Sequence, residues 1–387
     1  MICLRLLNRP YKDGDRLMSD YKSETQIRCE KIKNRLLKGL PPFCTTFFIG
    51  KEARLSAQTA VSYAYEYHYF FSYLCKYNSY FKNKGMRNIT IEDIGLLKTE
   101  DIEEYLHWLR FHEKEILNDE DAVAYRDNTN NVKRQVCRNK ESSISKYLSA
   151  LSSLYTYFIK RGHLSFNPTA AIDREKKTIK KPIVLDKKEK EKLFNSISYG
   201  TGLTSKQICF HEKNSKRDLA IFQILLDTGI RVSELVGLDI TDINFEEHYF
   251  TVFRKGGKQE DIYFSDVTQQ ILKDYLLERP LYHPQDDDKA LFLSGMGSTK
   301  GKRLSERSVQ LLTKKYISSC APERAKIISP HKMRSTFGTD MLNVTGDIEL
   351  VSELLGHSSL NTTKIYSQYS NSKKKNVRNY LSPSKDN

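Results

Sequence analysis

The chain has 387 residues and carries 63 lysines and arginines against 48 aspartates and glutamates, a formal net charge of +15. That length exceeds one ordinary hydrophobic core, so two domains are expected. The basic excess favours a polyanionic partner, nucleic acid ahead of an anionic membrane surface, because no uncharged apolar run approaches about 18 residues.

At the N-terminus, Met1-Ile2-Cys3-Leu4-Arg5-Leu6-Leu7 is apolar but soon interrupted, with no small-residue cleavage site behind it, so no signal peptide is expected. Residues 22–39 read as a basic helix stopped by Gly39 and Pro41-Pro42. Two periods compete in Leu55–Leu74. Tyr63, Tyr65, Tyr67 and Tyr69 alternate as in a strand, while Ala60, Tyr63, Tyr67, Phe70 and Leu74 recur at helical spacing. Segment length and a candidate cap at Ser56 decide for the helix. Further helices fit Asp101–Phe111 and Ser142–Lys160, and the polar stretch 117–140 between them reads as an exposed loop. Asn167-Pro168 closes this bundle. The charged, apolar-poor run Asp173–Pro182 reads as an inter-domain linker.

The second half is mixed. Helices fit Lys187–Ser196, Arg217–Thr228, Val267–Leu277, Ser305–Ser318, His331–Leu342 and Ile348–Leu355. Strands fit Tyr249–Phe253 and Asp261–Phe264, with Gly256-Gly257 at the turn between them. Cys3, Cys29, Cys44, Cys75, Cys137, Cys209 and Cys320 are scattered and form no C-x-x-C pair, which predicts reduced thiols in an intracellular protein.

Three motifs carry chemistry: Thr228-Gly229-Ile230-Arg231-Val232-Ser233-Glu234-Leu235, His331-Lys332-Met333-Arg334, and Leu354-Leu355-Gly356-His357 running on to Thr362-Thr363-Lys364-Ile365-Tyr366. Arg231 and Arg334 suit an anion, since a guanidinium stays charged and can pair two oxygens of a phosphodiester. His331 and Arg334 lie one helical turn apart and can share a face. A tyrosine hydroxyl, with its pKa near 10, needs help to lose its proton, and His331 is the best candidate for that base. His331, His357 and Cys320 lack metal-ligand spacing, so no catalytic metal is expected.

Together, in this order, these motifs resemble the tyrosine recombinases, or phage-integrase family, which cut and rejoin DNA through a phosphotyrosine bond. The resemblance implies Tyr366 as nucleophile, because Thr362-Thr363-x-x-Tyr366 matches the family pattern and Tyr369 or Tyr380 does not. It implies proton transfer by His331 and phosphate contact by His357. It also implies a leaving-group acid on a hairpin, here Lys255 within Phe253-Arg254-Lys255-Gly256-Gly257-Lys258. The family usually has glycine where Arg254 stands, and Lys258 is the alternative. Glu234 and Asp242 are candidates to orient neighbouring groups.

The implied fold class is mainly α with a small antiparallel β-sheet in the catalytic domain, arranged as a two-domain DNA clamp. The expected parts are an N-terminal extension (1–43), a helical core DNA-binding domain (44–170), a linker (171–182), a catalytic domain (183–366), and a tail (367–387) with a candidate trans-docking helix. Leu55-Ser56-x-x-Thr59 with Tyr63 and Ser149-Ala150-Leu151-x-x-Leu154-Tyr155 carry the N-terminal match, and 200–213 looks like an insertion. The implied partners are double-stranded DNA with inverted-repeat sites, a homotetramer on that DNA, and accessory DNA-bending or directionality proteins. No cofactor and no membrane are implied, and the location is the cytoplasm. Segments beyond a minimal Xer-type chain favour integration and excision of a mobile element. Xer-type dimer resolution and DNA inversion are the alternatives within the family, beside a topoisomerase of the same chemistry. A catalytically silent DNA-binding protein is the alternative from another class.

Overall fold

The structure is a computed structural model that describes residues 20–115, 134–139, 141–174, 182–254, 258–284 and 289–356. The chain forms two compact units, one spanning Ser23–Lys177 and the other holding the described residues from Pro182 on.

The first unit is a helical bundle: α1 (Asp20–Leu37), α2 (Pro42–Lys51), α3 (Ala57–Tyr77), α4 (Ile91–Gly95), α5 (Thr99–Arg110) and α6 (Glu141–Ile159). The competing periods of Leu55–Leu74 resolve as a helix. Ser56 caps it, its hydroxyl accepting from the Thr59 amide at 3.2 Å. Ala60, Ala64, Tyr67, Phe70, Phe71 and Leu74 are buried while Tyr65 is exposed, so the three- and four-residue spacing sets which face packs. The core is rich in aromatic rings, and three of its buried hydroxyls end on helix carbonyls. Tyr67 donates to Ala150 O at 3.1 Å, Tyr155 to Ile94 O at 2.9 Å and Tyr157 to Thr46 O at 2.9 Å.

Two sequence expectations need correction here. Pro41-Pro42 marks a helix start as well as a stop: Pro42 opens α2, where its missing N–H costs no hydrogen bond. The segment expected as one exposed loop contains a strand. β1 (Phe111–Glu115) continues directly from α5 and pairs antiparallel with β2 (Arg134–Arg138), Phe111 opposite Arg138. Residues 117–133 and 140 of that loop expectation lie outside the described residues. The ribbon was hidden because its stabilisation is backbone pairing between distant segments, which leaves no apolar alternation in a run such as Phe111-His112-Glu113-Lys114-Glu115.

The second unit holds α7 (Lys187–Tyr199), α8 (Ser205–His211), α9 (Ser215–Thr228), α10 (Val232–Gly237), α11 (Asp266–Glu278), α12 (Glu306–Cys320), α13 (Pro330–Thr345) and α14 (Ile348–Leu354). Beside them lies a sheet in the order β3 (Ile243–Asn244), β4 (Tyr249–Phe253), β5 (Gln259–Tyr263), antiparallel throughout. Ile221, Leu225, Leu235, Phe250, Leu272, Tyr316 and Met333 share one buried core. The architecture is therefore mainly helical with a small antiparallel sheet, as expected.

The stretch that looks inserted, 200–213, is mostly exposed but anchored to this unit at its two ends. Gly200 ends α7 in the left-handed region, Thr204 and Gln207 cap α8 reciprocally, and the buried His211 ring meets the Tyr316 hydroxyl at 3.1 Å. That hydroxyl donates to Asp218 at 2.7 Å, and Asp218 is paired with Arg217. Among the described residues no helix is long and apolar enough to cross a membrane. Within the linker expectation, residues 175–181 lie outside the described residues.

The cap on α3 is testable in isolation because Ser56 is exposed. Ser56→Ala should destabilise the N-terminal unit by about 1 kcal/mol and Ser56→Asp by far less, read by urea unfolding.

Candidate active site

Arg231, His331 and Arg334 are described, whereas Lys255, His357 and Tyr366 lie outside the described residues, as do Tyr369 and Tyr380. α9 ends at Gly229 with φ +62°, and after this left-handed turn Arg231 becomes the N-cap residue of α10. Arg231 thus sits at a helix-to-helix turn. Glu234, three residues on, holds it twice. One carboxylate oxygen accepts from the Arg231 amide at 2.8 Å and the other from its Nη1 at 2.7 Å. The Arg231 side chain remains 40% exposed, so its cation still reaches solvent.

Arg334 comes from the first turns of α13 and is buried. Its Nη1 donates to Gly229 O at 2.7 Å, across the turn that presents Arg231, and its Nη2 donates to Leu355 O. Arg231 Nη2 donates to the next carbonyl, Gly356 O, at 3.3 Å. Two arginines 103 positions apart in sequence therefore converge on consecutive peptide groups, immediately before His357.

The place they meet is the end of α14. There Glu353 O accepts from the Gly356 amide at 2.7 Å, and the carbonyls of Leu354, Leu355 and Gly356 each accept from a guanidinium. The negative end of the helix favours these cations. The third guanidinium is Arg254, which sequence reasoning noted only as a departure from the usual glycine. It is buried, donating from Nη1 to Leu355 O at 2.9 Å and from Nη2 to Leu354 O at 3.3 Å. Its other bonds run to both carboxylate oxygens of Glu260, at 3.0 Å each. Glu234 Oε1 lies 3.8 Å from Arg254 Nη1, so this carboxylate stands between two guanidiniums. Asp242, the other candidate orienting group, accepts from the Asp239 amide at 2.8 Å.

His331 lies at the start of α13, one turn before Arg334. The residue as a whole is exposed, yet its imidazole pKa lies below the ordinary 6.5. Crowding of the ring out of water is the main cause, followed by repulsion from Lys332, Arg334 and Arg231. Both causes favour the neutral ring, the form able to accept a proton.

The sequence profile described as the phage integrase family matches residues 184–373. Tyrosine recombinase XerC of Caldanaerobacter subterraneus is 32% identical over 340 residues, covering 86% of this chain and 84% of the relative. Tyrosine recombinase XerS of Streptococcus mutans is 30% identical over 376 residues, covering 92% and 99%. In fold, the chain is similar to the XerH site-specific recombinase solved in a pre-cleavage complex with difH substrate, with a TM-score of 0.53, 21% identity, and coverage of 94% and 89%. It is also similar to the Tn1549 transposon integrase in complex with a circular intermediate DNA, with a TM-score of 0.54, 18% identity, and coverage of 84% and 93%.

The turn that joins the arginines depends on Gly229. A Cβ added there would fall 2.3 Å from the Phe337 ring, at a backbone angle that side chains avoid. Gly229→Ala should therefore cost about 2 to 4 kcal/mol of stability in the second unit, measured by urea unfolding.

Proposed function

The chain belongs to the phage integrase family, the tyrosine recombinases, and we propose that Arg231, Lys255, His331, Arg334, His357 and Tyr366 form its reacting set. The observation that carries this assignment is the convergence of Arg231 and Arg334 on the Leu355 and Gly356 carbonyls, with His331 in the field of both. The chain is a site-specific recombinase, and its substrate in this reading is duplex DNA.

In this scheme Arg231 and Arg334, with His357, stabilise the charge that builds on the non-bridging oxygens of one phosphodiester. The Tyr366 hydroxyl passes its proton to His331 and its oxygen attacks phosphorus. The bond from phosphorus to the 5′ oxygen breaks, and the departing oxygen takes a proton from Lys255. The products are a 3′-phosphotyrosine and a free 5′ hydroxyl. A 5′ hydroxyl from a second strand then attacks the phosphotyrosine, the bond to Tyr366 breaks, and a phosphodiester is restored. Bond energy is conserved in the covalent intermediate, so the chemistry requires no nucleotide cofactor.

The expected assembly is a homotetramer on paired sites with inverted repeats, aided by DNA-bending or directionality proteins, acting in the cytoplasm. Residues 44–170 would form the core-binding domain, 183–366 the catalytic domain, and 367–387 a tail that docks on a neighbour. Integration and excision of a mobile element is the leading biological task. The near full-length match to XerS favours a second reading, resolution of chromosome dimers. Sequencing the DNA attached to trapped enzyme separates the two: junctions at the ends of a mobile segment support the first, and one chromosomal locus supports the second.

Two outcomes test the chemistry. Tyr366→Phe should bind target DNA yet give no covalent adduct on a nicked suicide substrate, and an adduct with that variant would move the nucleophile to another residue. The single-turnover cleavage rate should rise with pH as His331 loses its proton, and level off with a midpoint below 6.5. His331→Gln should remove that limb and slow cleavage by about 10²- to 10⁴-fold. An unchanged pH profile in His331→Gln would contradict the role given to His331.

A further inference from the structure

We propose that Arg254 is a positioning residue for the strand-cleavage reaction. It fastens the base of the β4–β5 connection to the end of α14, holding in register the two chain segments that lead to Lys255 and to His357. The inference rests on the reacting set proposed above and extends it to a side chain outside that set.

The argument starts from where Arg254 stands. It directly follows β4, and its amide donates to Lys258 O at 2.8 Å, closing the base of the connection that residues 255–257 complete. Its side chain turns inward and is 5% exposed. Burying a guanidinium is costly unless its donors are satisfied. Here they are satisfied in two directions at once. One edge forms a bidentate pair with Glu260 of β5, which clamps β4 to β5 below the connection. The other edge donates to Leu354 O and Leu355 O, 100 and 101 positions on, at the end of α14.

The fit at the α14 end is close. A Cβ added to Gly356, whose φ is +56°, would fall 2.5 Å from Arg254 Cζ. The chain can therefore pass over the guanidinium only as glycine. Leu355 O receives both Arg254 and Arg334, and Glu234 Oε1 stands near both Arg254 and Arg231. Arg254 thus ties the β4–β5 connection to both phosphate-binding arginines through shared partners. A lysine here could supply the charge but not the planar fork that grips a carboxylate and two carbonyls together.

The experiment compares two substrates in single-turnover cleavage: an ordinary phosphodiester, and one whose 5′-bridging oxygen is sulfur, a leaving group that needs no acid. Arg254→Met should slow cleavage of the ordinary substrate by about 10- to 100-fold. Its affinity for DNA should stay within about twofold, and the sulfur substrate should recover most of the lost rate, because a displaced Lys255 is then no longer needed. Arg254→Lys should be slowed less, with the same recovery. Glu260→Gln removes the clamp from the other side, avoids a buried cavity, and should reproduce the pattern. Wild-type cleavage of the ordinary substrate by folded Arg254→Met, or equal slowing on both substrates, would overturn the inference. Should Arg254→Met not fold, a Glu260→Gln enzyme with the wild-type ratio of rates on the two substrates would overturn it equally. Lys255→Ala, run alongside, separates this inference from its premise. A lysine variant without sulfur recovery overturns the general-acid assignment and the inference with it. A recovered lysine variant beside an unrecovered Arg254→Met overturns the inference alone.

Discussion

Three guanidiniums meeting the last carbonyls of α14 form the interaction on which the site depends. A helix end leaves carbonyls without partners and carries partial negative charge, so cations are a natural complement. Here Arg231, Arg254 and Arg334, drawn from the α10 N-terminus, the end of β4 and α13, all reach the carbonyls of Leu354, Leu355 and Gly356. Three like charges this close repel, and Glu234 and Glu260 offset them. Those two carboxylates leave one positive charge unbalanced among the five side chains. Arg231 is the member that reaches solvent, so it is where an anionic phosphodiester would find the surplus.

The arrangement is tolerable only because the second unit is otherwise well packed. Phe250 and Val252 of β4 and Ile262 of β5 enter the same core as Ile221, Leu225 and Leu235, so the elements that deliver Arg231 and Arg254 are fixed by apolar burial. Met333, one residue before Arg334, anchors α13 in that core. Charge is concentrated where the apolar framework has already set the backbone. In the first unit the same division holds with different chemistry: Tyr67, Tyr155 and Tyr157 bury rings and end their hydroxyls on carbonyls, so helix packing also fixes helix rotation.

Much of this was legible in the sequence because the signals were local. Ser56 with Thr59, Gly229 before Arg231, and the three-residue step from His331 to Arg334 each report a turn, a cap or a face within a few positions. What escaped was non-local. The β1–β2 ribbon depends on backbone pairing of distant segments. The role of α8 depends on His211 finding Tyr316, 105 positions away. Arg254 is the sharpest instance. Against the family pattern it reads as a missing glycine, and its meaning emerges only when Glu260 and the α14 carbonyls come within reach. Glu234 was half legible: the sequence marks it as a candidate to orient neighbouring groups, but not that one oxygen holds the Arg231 amide while the other holds its guanidinium and faces Arg254.

The terminus of α14 also limits how this region can change over evolutionary time. Successive residues of a helix advance by about 100° around its axis. Inserting or deleting one residue between Ile348 and Leu354 would swing the final carbonyls away from all three arginines together, while leaving the helix intact. Side chains on the outer face of α14 are free to vary, but its length is not.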